Sequence, residues 1–297
     1  MPGSITTSAD LPIPEVLTEA VQGAFSGMTA LDGSEAVVVN MSLPSTRGGD
    51  KVKVPYFGTI GEMEDVATEG DALGTTALSS TVEESIVQHS GKGVSVTEWA
   101  LLAGAYNDPY TELARQIRES GMRRIDKGLV DAAAAAGLPS AQDLDVFVAT
   151  GLGSARTLDW DLIVDGRMSF GDENDGVALL VIHSKVQGDL LKLKDSTNKP
   201  LLVDMNNDGQ VMRVNGIRVK VSDRLPVDTT DARPKYTSLL LQKGAIIAWV
   251  NGTPVVLPDV NAAANTRSMY CHLYHVEHRY KRLRGMTRGG VTRLRHN

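Results

Sequence analysis

A helical pattern that runs from Asp108 to Gly137 without a strong stop limits the folds open to this chain. Asp108 is a favourable N-cap residue, and Pro109 suits the first turn of a helix. At the usual rise per residue such a helix is about 40 Å long, which exceeds most helices of globular domains. Its apolar stripe consists of Leu113, Ile117, Ile125 and Leu129. The sequence therefore predicts a domain organised along one long helix.

The segment upstream of this helix, between two predicted strands, is acidic and rich in glycine. The strands are predicted at 51–57 and 81–89, where β-branched and aromatic residues are frequent. Residues 58–80 between them contain few apolar side chains that could anchor a loop. Their acids are Glu62, Glu64, Asp65, Glu69 and Asp71. Loops this long are uncommon inside compact domains, so the pattern predicts a hairpin that projects towards a neighbouring molecule.

Residues 1–34 have the pattern of an arm that lies outside the main core. Pro12 and Pro14 block regular structure ahead of a short amphipathic stretch. Val16, Leu17 and Phe25 belong to the apolar stripe of that stretch. Such a stripe needs a partner surface, because it buries little area on its own.

Downstream of the long helix, strands and helices alternate, which predicts a mixed α/β unit. Helices are predicted at 158–170 and 184–193, and strands at 36–41, 144–149, 177–182, 245–250, 254–257 and 269–282. The strands at 36–41 and 51–57 are predicted to be joined by a turn, and the GKG sequence at 91–93 is predicted to be another turn. Asn215 and Gly216 predict a tight hairpin over 211–221.

Charge is distributed unevenly along the chain. The net charge of -6 argues against a dedicated nucleic-acid-binding protein. No acid follows Glu277, but seven bases do: Arg279, Lys281, Arg282, Arg284, Arg288, Arg293 and Arg295. This basic end is either a solvated tail or a contact with nucleic acid or an acidic neighbouring subunit, and the sequence favours neither.

A cluster of histidines near the C-terminus raises the question of a metal site. It comprises His272, His275 and His278, with Glu277 between the last two. In a strand, His272 and His278 face one side whereas His275 and Glu277 face the other, so ordinary strand residues are the favoured interpretation.

Other motifs match known sites only in part. Residues 204–209 match the first half of a calcium loop, and residues 151–156 lack the third glycine of a dinucleotide loop. Cys271 is the single cysteine, which excludes an intrachain disulfide and a zinc site of several thiolates. We therefore predict no catalytic, cofactor-binding or metal-binding residues.

The order of these elements resembles the major capsid proteins of tailed bacteriophages, which have the Hong Kong 97-type fold, an α+β fold. The resemblance covers nearly the whole chain and rests on three segments. VKVPYFGTIGEMEDVATEGDAL is similar to the strand that enters the extended loop, NDPYTELARQIRESGMRRIDKGLVDAA to the spine helix, and GDENDGVALLVIHSKVQGDLLKL to a strand and helix of the axial domain.

This resemblance implies a division of the chain into six parts. They are an N-terminal arm (1–34), peripheral-domain strands (35–57), the extended loop (58–80), the peripheral domain with its spine helix (81–142), a mixed α/β axial domain (143–254), and a return to the peripheral domain with a basic end (255–297).

The resemblance also implies a function without catalysis or cofactor. Hexamers and pentamers of the chain would assemble in the host cytoplasm into an icosahedral shell, the virion capsid. The shell would enclose double-stranded DNA through weak, non-specific contacts, with separate scaffolding, portal and cement proteins as candidate partners and no membrane. Either a scaffolding segment has been removed from this form or scaffolding is a separate protein.

Contacts between subunits are predicted at three sets of residues. The five loop acids are expected to meet bases of a neighbour's spine helix, namely Arg115, Arg118, Arg123 and Arg124, although a solvated acidic loop is the alternative. Val16, Leu17 and Phe25 of the arm are expected to pack on a neighbour. Some family members cross-link a loop lysine to a neighbour, but residues 58–80 contain no lysine, so a non-covalent shell is predicted.

Three other functions remain open at this point. A cellular encapsulin-like compartment shares the fold but encloses a cargo enzyme. A tail or adaptor protein of a virion would form rings or tubes. A metal-dependent hydrolase that uses the histidines of residues 272–278 is the rival from the enzyme class.

Overall fold

A computed structural model describes most of the chain, with gaps. The described residues are 31, 33–40, 42, 50–58, 60–63, 65, 74–97, 109–193, 213–251, 255–263, 265–281 and 289–297; for 96, 109–114, 118, 255, 256 and 258 only the backbone is described. Within this part, no helix is both long and apolar enough to cross a membrane.

The described elements mix helices and strands throughout. The helices are α1 (Pro109–Ala134), α2 (Trp160–Met168) and α3 (Ser184–Leu191), with 3₁₀ turns at Ser140–Gln142 and Gly171–Gly176. The strands are β1 (Val37–Asn40), β2 (Lys51–Phe57), β3 (Ser80–Ile86), β4 (Gln88–Thr97), β5 (Asp143–Asp145), β6 (Val177–Ile182), β7 (Arg213–Val214), β8 (Ile217–Val221), β9 (Val227–Asp228), β10 (Lys235–Gln242), β11 (Ile246–Val250), β12 (Val255–Asn261), β13 (Thr266–Arg279) and β14 (Val291–His296).

Helix α1 confirms the predicted long helix and buries three residues of the predicted stripe, whereas the side chain of the fourth, Leu113, lies outside the described residues. Ile117, Ile125 and Leu129 are buried along it. Its last turn contains no base, and arginines from elsewhere satisfy its terminal carbonyls instead. Arg279 donates to the carbonyls of Ala133, Ala135 and Ala136, and Arg293 donates to that of Ala134.

A long sheet is built on β13. The strand β4 runs antiparallel along one edge of β13, from Thr97 opposite Thr266 to Gln88 opposite His275. Along the other edge, β11 pairs with the C-terminal half of β13 and β12 with the N-terminal half. The short strand β1 then pairs parallel with β11.

A second sheet contains seven strands in the order β5-β14-β10-β6-β8-β7, with β9 also paired to β10. The central strand β10 is buried on both faces from Thr237 to Gln242, although Thr237, Ser238 and Gln242 are polar. Leu239 and Leu241 belong to the core that includes Ile125 and Leu129 of α1. Leu240 belongs to a second core, which α2 and α3 cover.

The hairpin of β2 and β3 forms a separate two-stranded sheet. Lys51 lies opposite Ile86, and Phe57 lies opposite Ser80. Val52 packs with Ile247, Trp249 and Val276 of the long sheet. The predicted strands around the extended loop therefore pair as a hairpin.

One predicted turn is wrong and another is untested. The turn predicted between β1 and β2 falls mostly outside the described residues, and β1 pairs with β11. The GKG sequence is not a turn but lies inside the continuous strand β4. Glycine leaves room there for the facing strand, since a Cβ at Gly93 would lie 2.7 Å from Cδ1 of Tyr270 unless that ring moved.

Other predictions are confirmed or corrected in detail. The hairpin at Asn215 and Gly216 is confirmed, with left-handed φ values of 52° and 76°. The strand predicted at 144–149 is wrong beyond Asp145. The strand β10 was not predicted, and neither was β14.

The basic C-terminal end is not a free tail over residues 289–297. Strand β14 pairs with both β10 and β5, so it occupies the interior of the seven-stranded sheet. Val291 and Leu294 are fully buried there. The structure thus differs from the predicted division at two strands: β11 joins the long sheet with β13, and β14 joins the sheet of the predicted axial domain.

Candidate assembly interface

The β2–β3 hairpin exposes apolar side chains along one face. Phe57, Val82 and Ile86 are 69%, 49% and 61% exposed, respectively. Strand alternation and the pairing register place all three on the face opposite Val52. A two-stranded hairpin is marginally stable by itself in water, and these residues find no cover within the described part of the chain. This face therefore has the character of a surface that another molecule covers.

The loop carried by the hairpin presents both acids and apolar residues to solvent. Glu62 and Asp65 are exposed, as are Ile60 and Met63. The other three predicted contact acids, Glu64, Glu69 and Asp71, lie outside the described residues.

The predicted bases of the spine helix differ in their surroundings. Arg123 is exposed, and so is Arg115, which donates to Glu119 one turn along the helix. Arg124 is partly buried and donates to Oε1 of Gln88 at 2.5 Å. The side chain of Arg118 lies outside the described residues. Arg115 and Arg123 line a groove between α1 and β4, which Lys92 also lines.

The predicted arm contacts Val16, Leu17 and Phe25 lie outside the described residues, but the point where the arm meets the body is described. Leu31 is fully buried, and its backbone N–H donates to Oδ1 of Asp126 at 3.1 Å. The other oxygen of Asp126 accepts from Arg224. A buried carboxylate of α1 therefore fixes the chain at residue 31.

A polar cluster holds the base of the hairpin on the long sheet. Glu83 is buried, and both of its carboxylate oxygens accept from the backbone N–H of Lys281 at 3.3 Å. Nε2 of His278 lies 2.9 Å from Oε2 of Glu83, and Nδ1 of His278 lies 2.8 Å from Oγ of Ser85. Burial lowers the pKa of His278, against the opposing effect of the Glu83 carboxylate.

His275 forms a different cluster on the opposite face of β13. Nδ1 of His275 lies 2.6 Å from Oε1 of Glu277, and Nε2 lies 2.9 Å from Oγ of Ser90. His275 and Glu277 are both buried beneath α1. Helix α1 can approach them because residue 128 is glycine.

His272 has a third set of neighbours, so the three histidines do not converge on one site. Its Nδ1 lies 3.0 Å from Nε2 of His89, on the exposed face of the long sheet. Within the described part of the chain, no group of three or more His, Cys, Asp or Glu side chains is arranged to hold a metal ion. The geometry that the metal-dependent hydrolase needs at His272, His275 and His278 is therefore not formed.

Comparison with known proteins identifies the family. The model of the family described as phage capsid protein matches residues 79–273, which is well over half of the chain. The chain belongs to this phage capsid protein family. The match favours a phage capsid over the cellular compartment, the tail protein and the hydrolase.

Individual relatives agree with the family over almost the whole length of the capsid protein. The major capsid protein of Staphylococcus phage phiMR11 is 26% identical over 284 residues, which are 94% of each chain. The capsid of a native GTA particle superimposes with a TM-score of 0.65 at 17% identity and covers 91% of this chain and 90% of its own. Microbacterium phage Oxtober96 gives a TM-score of 0.58 at 18% identity and covers 86% and 85%.

These likenesses to solved structures show the fold of this capsid protein. The predicted Hong Kong 97-type α+β fold and the predicted capsid function are confirmed. The family match covers β3, β4, α1 and most of β13, the elements that carry the hairpin base and the spine helix.

The bases at the C-terminal end of the capsid protein hold its own sheet together. Arg293 donates to Oδ1 and Oδ2 of Asp143 at 2.9 and 2.5 Å, and Arg295 donates to the same carboxylate at 2.8 Å. The hydrogen bond from Arg293 lowers the pKa of Asp143. Arg293 and Arg295 are therefore committed to intramolecular pairs, whereas Arg282, Arg284 and Arg288 lie outside the described residues.

Sequence reasoning missed several residues that position the interface. The sequence patterns single out neither Glu83 nor Asp126, although both are buried. A signal exists for Asp126, since it falls four residues before Val130 and one after Ile125 on the buried side of α1. The sequence of β3 contains no such signal for Glu83. Glu83 and Glu84 are adjacent and face opposite sides of the strand, and only the fold decides which of the two is buried.

Proposed function

We propose that this capsid protein self-assembles as hexamers and pentamers into an icosahedral shell that encloses phage double-stranded DNA. The observation that carries the proposal is the uncovered apolar face of the β2–β3 hairpin, with Phe57, Val82 and Ile86. Covering these side chains removes apolar area from water at about 25 cal/mol per Å². A neighbouring copy of the chain is the occupant that supplies such cover at every position of a shell.

The contact would be heterologous, because the hairpin of one copy and the body of the next are different surfaces. Heterologous contacts close into rings when the rotation between copies permits it. Rings of five and six copies then differ by a small change in that rotation. The polar cluster of Glu83, Ser85 and His278 at the hairpin base sets the direction in which the hairpin leaves the body.

Charge supports the same contact. Glu62 and Asp65 of the loop are exposed, and the groove beside α1 presents Arg115, Arg123 and Lys92. We place the loop of one copy over this groove of its neighbour, so that opposite charges meet at its rim. Such rim pairs add specificity and register more than affinity. Arg118, Arg124, Glu64, Glu69 and Asp71 are proposed for the same contact, and Val16, Leu17 and Phe25 for that of the arm.

The proposed role requires no turnover and no cofactor. Assembly takes place in the host cytoplasm, with separate scaffolding, portal and cement proteins as partners. The contact with DNA is weak and non-specific, which agrees with a net charge of -6 and with the intramolecular pairing of Arg293 and Arg295.

Electron microscopy of the chain expressed in a bacterial cytoplasm tests the proposal. The wild-type chain, with co-expressed scaffolding protein if it needs one, is expected to form closed, uniform shells. A variant with Phe57→Ser, Val82→Ser and Ile86→Ser is expected to remain as small species. Leu152→Ser is the matched control, because Leu152 is 80% exposed on a turn remote from the hairpin in sequence. Shells from the triple variant, or rings and tubes from the wild type, contradict the proposal.

A further inference from the structure

Two histidines on neighbouring strands of the long sheet bring their ring nitrogens together at the surface. His89 of β4 lies opposite Tyr274 of β13, and His272 lies opposite Gly91. The two imidazoles are therefore diagonal neighbours on one face. Nε2 of His89 and Nδ1 of His272 are 3.0 Å apart, whereas the ring centroids are 5.0 Å apart. The ring edges that carry these nitrogens thus face each other.

The separation of these nitrogens matches that of two ligands on one metal ion. Two nitrogens 3.0 Å apart, each about 2.0–2.1 Å from an ion, subtend an angle of about 94° at that ion. This is close to the right angle between adjacent ligands of a square-planar or octahedral ion, and it is narrower than the tetrahedral angle that zinc prefers. Imidazole nitrogens with this arrangement suit Cu²⁺ and Ni²⁺.

The surroundings of the pair hold it in place and leave it open to solvent. The ring of His89 stacks on that of Tyr274 with centroids 4.5 Å apart and an interplanar angle of 11°. Gly91 leaves space for the ring of His272, since a Cβ at that position would lie 3.2 Å from Nδ1. His89 is exposed, so water or a group from a neighbouring molecule can fill the remaining coordination positions.

We propose that His89 and His272 form a surface site for a divalent transition-metal ion of the copper or nickel type. The ion takes the place of the proton between Nε2 of His89 and Nδ1 of His272, that proton moves to the other nitrogen of its own ring so that both rings stay neutral, and the ion joins β4 to β13. Because each ligand comes from a different strand, the bound ion stabilises the pairing of these strands. The site differs from the histidine motif of the sequence, since His89 rather than His275 or His278 supplies the second ligand.

Titration of the purified, untagged chain with Ni²⁺ at neutral pH in a weakly coordinating buffer tests the site. We expect one ion per chain, and an affinity at least about tenfold lower in His89→Asn and in His272→Asn, because each variant retains one imidazole. His183→Asn is the control: His183 is an N-cap residue of α3, and asparagine can keep that role. Equal affinity in His89→Asn and the wild type, or no binding by the wild type, overturns the proposal.

Electron paramagnetic resonance of the Cu²⁺ complex provides a readout that does not depend on the variants. Hyperfine splitting from two nitrogens supports the pair as ligands, whereas splitting from one nitrogen or from none contradicts it. Thermal unfolding with and without Ni²⁺ adds a third measurement. The ion is expected to raise the Tm of the wild type and of His183→Asn, but not that of His89→Asn.

Discussion

The side chain of Glu277 in β13 packs directly against Gly128 of α1, so that a larger residue at position 128 would overlap it. A Cβ at Gly128 would come within 2.6 Å of both Cδ and Oε1 of Glu277. Glu277 in turn lies 2.6 Å from Nδ1 of His275. The glycine therefore lets the long helix lie directly on a buried carboxylate and imidazole of the long sheet.

This contact predicts opposite effects of alanine at the two interior glycines of α1. Alanine inside a helix is more favourable than glycine by about 1 kcal/mol, and a Cβ at the partly buried Gly121 would meet no described atom within 4 Å apart from the helix's own backbone. Gly121→Ala is therefore expected to raise the free energy of unfolding by roughly 0.5–1 kcal/mol. Gly128→Ala is expected to lower it, because the new methyl group displaces Glu277. Chemical denaturation of both variants checks this, and a stabilised Gly128→Ala variant would show that the helix can shift at no cost.

Glu83 and Glu84 are neighbours in β3 with different expected contributions to stability. Glu83 is buried and accepts from the backbone of Lys281, whereas Glu84 pairs with Lys51 and Lys53 at the surface. Glu83→Ala leaves the N–H of Lys281 without an acceptor and removes the carboxylate that lies 2.9 Å from Nε2 of His278, so it should lower the free energy of unfolding by about 1–3 kcal/mol. Glu84→Ala is the matched control and should change it little. Denaturation curves of both variants give the comparison, and equal effects would argue against a structural role for the hairpin base.

Stability is expected to decrease as the pH falls below about 6.5. Burial lowers the pKa of His296 and of His278 below their ordinary value of 6.5. The unfolded chain therefore binds protons first, and the stability present above pH 6.5 is lost as the pH falls through the folded-state values. In the neutral ring of His296, Nδ1 donates to the carbonyl of Asn297 and Nε2 accepts from Ser238.

The variant His296→Gln isolates one of these groups. Glutamine can also donate and accept, but it does not titrate in this range. Its free energy of unfolding, measured between pH 7 and pH 5, should depend less steeply on pH than that of the wild type. Identical slopes would show that the imidazole of His296 does not contribute to the acid sensitivity.

The parts of the fold that sequence predicts well are those fixed by local patterns. Pro109 and Gly137 frame the long helix, and Asn215 with Gly216 frames a tight turn, because backbone preferences act over a few residues. The extended hairpin is also predictable, because the β-branched and aromatic residues of its two flanking segments indicate strands whichever segments they pair with.

The parts that were missed depend on residues far apart in the chain. Strand β14 has two arginines in six residues and looks like a solvated end, yet Asp143 neutralises both of them from 150 residues upstream. Gly93 looks like a turn residue, yet it lies in a strand and leaves room for the ring of Tyr270 on the neighbouring strand. His89 was not connected to His272 for the same reason. Local patterns carry no information about a partner supplied by tertiary pairing.

Charge reversal on the spine helix tests the proposed contact between subunits. Arg123 lines the groove beside β4, whereas Lys127 is an exposed base one turn further along α1 and does not line it. Arg123→Glu should reduce the yield of closed shells in electron micrographs, and Lys127→Glu should not. Asp65→Arg combined with Arg123→Glu should restore part of the yield, because the two charges are exchanged. Equal loss with either helix variant would assign the effect to overall charge.

The shell is expected to be held together without covalent cross-links between subunits. Residues 58–80 contain no lysine, so this loop cannot offer an amine to a neighbour. The lysines nearest to it in the hairpin, Lys51 and Lys53, both pair with Glu84. Shells boiled in denaturant should therefore run on a gel as single chains of 31.8 kDa. A ladder of multiples would require another amine, and Lys53→Arg would then test the more exposed of these two, since arginine keeps the charge and the pairing but lacks a reactive amine.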